Sequence, residues 1–208
     1  GRTRLFRPGD SAVAAFGAKD LDPVKAKNFS LGFVWTPDER TSLTVDAYRI
    51  DIDGNILATQ TLQDPADNSS TAVRDILAKA GLSNFSGASF YTNGYDTRTT
   101  GVDAQLKHRL DLQQYGRLDL GAGLSVIDTK VSNVKQGSVL TRTGTTLFTR
   151  DVLRNPENGT PENKLILSSD YTLGKWGVNV QATRFGEYTY NHPTLESRDQ
   201  TFSPQWVV

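Results

Sequence analysis

The side chains best equipped for chemistry are few and scattered. The 208-residue chain holds two histidines, His108 and His192, and neither cysteine nor methionine, so thiolate and disulfide chemistry fall away. His108 sits in the apolar row of TGVDAQLKHRLDL, and His192 precedes Pro193 in a turn-rich segment. Neither stands beside a serine, cysteine or carboxylate phrase that would mark a nucleophilic triad. No histidine pair has zinc spacing, and no Gly-rich loop leads from a strand into a helix. DIDGN, residues 51 to 55, opens like a calcium loop but lacks the third ligand position and the closing Glu. Four glycosylation sequons, at Asn28, Asn68, Asn84 and Asn158, are what a Ser/Thr-rich chain yields by chance. The sequence therefore predicts no enzyme, no metal site and no cofactor. Recognition chemistry remains. Tyr91, Arg98, Arg150, Arg154, Tyr188, Tyr190 and His192 are of the types that meet an anionic or aromatic ligand, although exposed residues of these types are common in any protein.

What must position them is a set of strands. From Val102 to Leu112 every even residue except His108 is apolar and every odd one is charged or an amide, the period-two signature of a strand with one apolar and one polar face. NFSLGFVWTP and SLTVDAYRIDID flank the turn-prone PDERT; RLDLGAGLSVIDTKV follows the short reversal QQYG. NKLILSSDYTL and WGVNVQATRFGEYTY meet across Leu173 to Lys175, with Gly174 supplying the turn. TFSPQWVV closes the sequence. In DAYRIDI the apolar residues change parity after Ala47, which predicts either a strand leaving its apolar surroundings or a bulge.

These are about seven strands, and their connections alternate short and long. The long ones run from Gly54 to Arg98, from about Ser132 to Glu162, and through NHPTLESRDQ. In an up-and-down sheet this sorts short turns to one rim and long loops to the other, as in an outer-membrane barrel; a Greek-key sandwich has no reason to do so. Alternating spans of about 9 to 12 residues suit tilted transmembrane strands. Trp35, Tyr115 and Trp176 lie near short turns, and Tyr48, Phe185, Tyr188, Tyr190 and Phe202 near the other end, as two aromatic girdles would. Asp103, Lys107, Arg109, Asp111, Arg117 and Asp119 would then line the lumen as ion pairs between strands. In the first loop, Ser70 is a candidate cap for a short helix with Val73, Ile76, Leu77 and Ala80 as its stripe and Gly81 as its end. That stripe predicts a helix that packs the loop down rather than one that touches ligand.

Three stretches in order carry a family resemblance. FGAKDLDPVKAKNFSLGFVWTPDERTSLTVDAYRIDIDGNI, then FYTNGYDTRTTGVD, then PENKLILSSDYTLGKWGVNVQATRFGEY resemble the late barrel strands of TonB-dependent outer-membrane receptors over about residues 16 to 208. One departure is Val24 and Lys25, where the family usually has Glu and a small polar residue. The resemblance implies an antiparallel up-and-down transmembrane β-barrel in the bacterial outer membrane. Residues 1–208 would be a partial barrel domain, with the plug and the other strands outside this sequence. It implies partners too: outer-membrane lipid, TonB acting through the missing plug, and an extracellular small molecule such as a metal chelate. The function implied is active uptake of a large, scarce nutrient such as a ferric siderophore.

Composition is compatible with this and excludes some rivals. Lys+Arg and Asp+Glu both number 23, so there is no nucleic-acid footprint. No apolar run reaches a transmembrane helix, and GRTRLFRPGD lacks a signal-peptide core. Two other readings compete with uptake. One is a soluble or cell-surface all-β binding module, an adhesin or glycan-binding sandwich; the other is a passive porin-like channel. Arginine at Leu106 or Leu120 separates the first from a barrel, because it tests whether the apolar face meets lipid or a dry core.

Overall fold

The computed structural model describes residues 2–67, 69–135 and 146–208. Asn68 and the middle of the second long connection lie outside the described residues. Amphipathic alternation becomes seven strands of one sheet: β2 (Lys25–Asp38), β3 (Thr41–Ala58), β5 (Phe85–Asp111), β6 (Arg117–Ser132), β7 (Asn163–Leu173), β8 (Trp176–Phe185) and β11 (Gln205–Val207). They are hydrogen-bonded in the order β11-β8-β7-β6-β5-β3-β2, so consecutive long strands are neighbours. The short turns fall at Asp38–Thr41, Asp111–Arg117 and Leu173–Trp176, and the long connections at the other ends. Two glycines make the tight reversals possible: Gly174 at φ +55°, in the left-handed region that costs a residue with a Cβ about 1–2 kcal/mol, and Gly116 at φ +92° and ψ −152°, a conformation essentially reserved for glycine.

The chain divides into two compact units. One comprises 27–51, 98–130 and 154–208 and contains the regular sheet. In β7 and β8 the register is unbroken from Lys164↔Phe185 to Leu173↔Trp176. Its apolar face is solvent-accessible rather than buried: Phe29 70%, Leu31 69%, Trp35 50%, Leu106 41%, Trp176 70% and Val178 58% exposed. Exposure on that scale, continuous across strands, is how a sheet looks when its apolar partner is not protein.

The other unit, residues 1–26, 52–97 and 131–153, has an ordinary hydrophobic core. Phe6, Val13, Phe16, Leu62, Leu77 and Phe90 are buried, with Phe148 packed among them. Here the first long connection is shorter than the sequence suggests, because β3 continues to Ala58 and β5 begins at Phe85. The segment from 85 to 97 shows no alternation because Ala88, Phe90, Asn93 and Tyr95 are all buried. Two elements without a periodic signal complete the unit. Strand β1 (Arg2–Phe6) pairs in parallel with β5, and α1 (Ser11–Ala14) is capped by the Asp10 carboxylate, which accepts from Ala12 N at 3.0 Å. The short β4 (Leu62–Gln63) pairs antiparallel with β5.

The loop helix forms as α2 (Ala72–Lys79), with Val73 and Leu77 buried and Gly81 at φ +76° ending it. Its capping differs from expectation. Ser70 Oγ takes only Ala72 N at 3.3 Å, while Asp64 accepts from Val73 N and Arg74 N at 2.8 and 3.0 Å. A carboxylate at a helix N-terminus satisfies orphan donors and opposes the dipole, and Asp64 reaches that position through chain folding.

Candidate functional site

On the polar face of the sheet, β5 and β6 carry the six residues expected to line a lumen. Asp103, Lys107, Arg109 and Asp111 lie on β5, and Arg117 and Asp119 on β6. The structure links three of them: Asp119 accepts from Arg109 Nε at 2.7 Å and from Arg117 Nε at 2.9 Å. Asp111 instead accepts from Gln113 N at 3.0 Å and shapes the turn. Asp103 borders a cleft of about 310 Å³ with Asp46, Gln105, Ser125 and Lys164. Nearer the short turns, an open groove of about 720 Å³ is lined by Asp38, Arg40, Lys107, Arg109, Asp119 and Asp170. These groups bind and orient; nothing in the set pairs a nucleophile with a base.

The parity change in β3 is neither a bulge nor a slip. Thr41 Oγ1 lies 2.9 Å from His108 Nδ1 and Asp51 bonds Arg98, and the residues between run in step on both strands. Register is kept, and the apolar residues simply switch face. Tyr48 therefore belongs to the polar face, not to an aromatic girdle: its ring fills the space where a Cβ on Gly101 would be. Asp46 occupies the corresponding space over Gly32.

The residues proposed from sequence for ligand contact separate. Tyr91, on β5, is 42% exposed in the unit with the buried core, and Arg150 begins α3 (Arg150–Asn158). Arg98 is in β5, bonded to Asp51. Arg98, Arg154, Tyr188, Tyr190 and His192 fall in the other unit. There β9 (Tyr188–Tyr190) pairs with β10 (Gln200–Phe202), and Tyr188 stacks on Phe202 at 4.8 Å between centroids. Arg154 bonds Glu157 at 3.4 Å. His192 Nδ1 accepts from Thr194 N and Leu195 N at 3.2 and 3.1 Å, so this nitrogen caps a turn.

Two asparagines that the sequence did not single out organise these regions. Asn191, 1% exposed, donates to Asn155 Oδ1 at 3.1 Å and Asn158 Oδ1 at 2.7 Å, fastening β9 to α3. Asn93, 4% exposed, accepts from Asp22 N at 2.9 Å and donates to the carbonyls of Asp22 and Gly54 at 2.9 and 2.8 Å. Its neighbour Asp96 accepts from Asn133 Nδ2 and Gly54 N, both at 2.7 Å, and these bonds hold its carboxyl below the usual aspartate range. Asn93 was present in the sequence as part of the phrase FYTNGYD; only its bonding was hidden. Among the described residues no group of acidic and histidine side chains could hold a metal, and the DIDGN stretch is a strand segment with Gly54 at φ +74°.

Seven consecutive antiparallel strands with an exposed apolar face and an ion-paired polar face describe part of a membrane barrel wall. Residues 3–208 match the family described as "TonB dependent receptor-like, beta-barrel". The chain belongs to this family. Its members are bacterial outer-membrane receptors rather than enzymes, and the outer membrane is where this chain is located. Solved structures agree on the fold. The FrpB iron transporter from Neisseria meningitidis aligns with a TM-score of 0.54 at 10% identity, over 88% of this chain and 23% of that one. The ferric-catecholate import receptor Fiu of E. coli K12 gives 0.51 at 15% identity, over 89% and 20%. The siderophore receptor PirA from Acinetobacter baumannii gives 0.51 at 14%, over 90% and 25%. The chain thus spans a fifth to a quarter of their length. No individually curated protein matches it.

Proposed function

We propose that this chain is a segment of the barrel of a TonB-dependent receptor that imports a large, scarce nutrient, a ferric siderophore being the leading class. The observation that carries this is the family match along residues 3–208 on a sheet whose order leaves β2 and β11 as its two ends among the described residues. Similar structures include an import receptor for ferric catecholates and a siderophore receptor. In this reading residues 1–208 are a partial barrel domain, completed by further strands and by a plug through which TonB acts. The apolar face meets outer-membrane lipid. Asp103, Lys107, Arg109, Asp111, Arg117 and Asp119 line the lumen and hold neighbouring strands against the plug.

Ligand capture falls to the long connections. Each unit carries its own candidates, Arg98, Arg154, Tyr188, Tyr190 and His192 in one and Tyr91 and Arg150 in the other, all of the cationic and aromatic kinds that suit an anionic chelate. The test is iron-limited growth of the source organism with the receptor gene deleted, supplied with single ferric chelates. Loss of growth on one chelate, restored by the gene and abolished without TonB, supports import. Undiminished growth and iron uptake on all chelates refutes the substrate class while leaving the outer-membrane barrel intact.

A further inference from the structure

The turn between β9 and β10 is closed by a ring nitrogen where a side-chain oxygen is the usual acceptor. In Asx turns an Asn or Asp oxygen accepts the backbone N–H two residues on. Here residue 192 is a histidine followed by Pro193, which has no N–H to offer. The next two amides, of Thr194 and Leu195, both donate to His192 Nδ1, at 3.2 and 3.1 Å, and the Thr194 hydroxyl stands 3.4 Å from the same nitrogen. Two N–H donors on one ring nitrogen fix the tautomer: Nδ1 carries the lone pair, and the proton is on Nε2.

Exchanging an oxygen for an imidazole gives the turn a second state. Histidine is the side chain whose charge changes between about pH 5 and 8, a range in which an Asx oxygen keeps its lone pairs. A proton on Nδ1 converts the acceptor into a donor aimed at two donors, so both bonds are lost together. The ring is half-buried, which leaves it within reach of solvent protons. The ionisable groups of the turn are Glu196, Arg198 and Asp199; those of the elements beside it are Arg154 and Glu157 of α3 and, next to Tyr188, Glu162 and Glu187. A charged ring therefore meets no surplus of like charge. What the turn holds is close by: His192 N donates to Asp199 Oδ1 at 2.8 Å, Asn191 is fastened to α3, and Tyr190 pairs with Gln200 at the last rung of the hairpin.

We propose that His192 is a pH-sensitive latch on the turn between β9 and β10. The neutral ring closes the turn; the ring protonated at Nδ1 releases Thr194 and Leu195 and loosens the end of the hairpin that carries Tyr190. The inference goes beyond the import reading and does not depend on the nutrient. A receptor that takes up no ferric chelate would still show the latch, and a receptor without the latch could still import one.

The experiment uses the full receptor purified from outer membranes in mild detergent. Rapid-mixing amide exchange is read by mass spectrometry at about pH 8 and about pH 5, each corrected for the intrinsic pH dependence of exchange. Peptides spanning residues 191–199 should exchange about tenfold faster in acid, the ratio that one net hydrogen bond represents, while β7 and β8 stay unchanged. His192→Asn places a non-titrating acceptor where Nδ1 stood and should keep the turn closed at both pH values. His192→Phe should leave it open at both. Exchange that is independent of pH in the native receptor would overturn the proposal. So would acid opening that persists in His192→Asn, which would assign the response to a neighbouring carboxylate. If gel mobility with and without heating shows that His192→Phe does not fold, the native receptor and His192→Asn decide the matter between them.

Discussion

Removing the Asn93 amide offers the sharpest check on how the segment around Asp22 is held to β5. The side chain makes three hydrogen bonds, two to the Asp22 backbone and one to the Gly54 carbonyl. At about 1 kcal/mol net per bond the loss in Asn93→Ala is about 3 kcal/mol. Asp22 is exposed and Asn93 is not, so water can replace the two Asp22 bonds, and about 2 kcal/mol is the working figure. Asn93→Asp should be at least as damaging, since it sets a carboxylate against two carbonyl oxygens. The assay is amide exchange by mass spectrometry on the full receptor. Peptides containing Asp22 should exchange about 30-fold faster, the equivalent of 2 kcal/mol of local opening, while peptides from β7 and β8 stay unchanged. Unaltered exchange at Asp22, or equal acceleration throughout the receptor, would refute the idea of a local clasp.

Leu106→Arg, on the exposed apolar face, should cost about 2–4 kcal/mol if that face meets hydrocarbon, read as a smaller fraction of receptor with heat-modifiable gel mobility; full recovery of folded receptor would argue against a lipid contact there. Gly116→Ala should fail more severely than Gly174→Ala, because a Cβ at Gly116 meets the Thr172 carbonyl whereas nothing stands near Gly174; comparing folding yields of the two decides it. Asp96 should titrate below ordinary aspartate. A carboxyl whose pKa is lowered on folding contributes its stability in full above the unfolded value and loses it as pH falls through the folded one, so Asn133 and Gly54 should loosen only in acid below about pH 4. A carboxyl-carbon NMR titration with its midpoint at or above the ordinary value would contradict this.

The sheet was legible in the sequence because an exposed apolar face imposes period two on every strand that contributes to it. Val102 to Leu112 shows this without interruption except at His108, whose ring finds Thr41. Residues 85 to 97 belong to the same strand without showing it, since Ala88 and Phe90 are buried on one parity and Asn93 and Tyr95 on the other, which removes the alternation. The packed unit was equally hidden: Phe6, Phe16, Leu77 and Phe148 are far apart in sequence, and no local pattern marks their meeting. For the candidate site, parity correctly put Arg109 and Asp119 on one face. It put Arg117 there too, but could not say that both arginines share Asp119, nor that Arg98 is committed to Asp51. Residue type indicates what a side chain can bind, whereas the partner is chosen by register across strands.

The ring of Tyr48 over Gly101 ties the histories of two positions that lie far apart in the chain. A methyl group at 101 collides with the ring while the ring is present and loses that collision once it has gone, so the order in which two mutations arise bears on whether either survives. Among descendants of this receptor, glycine at 101 should persist wherever 48 stays aromatic and drift wherever it does not. The pair is inherited as a single character.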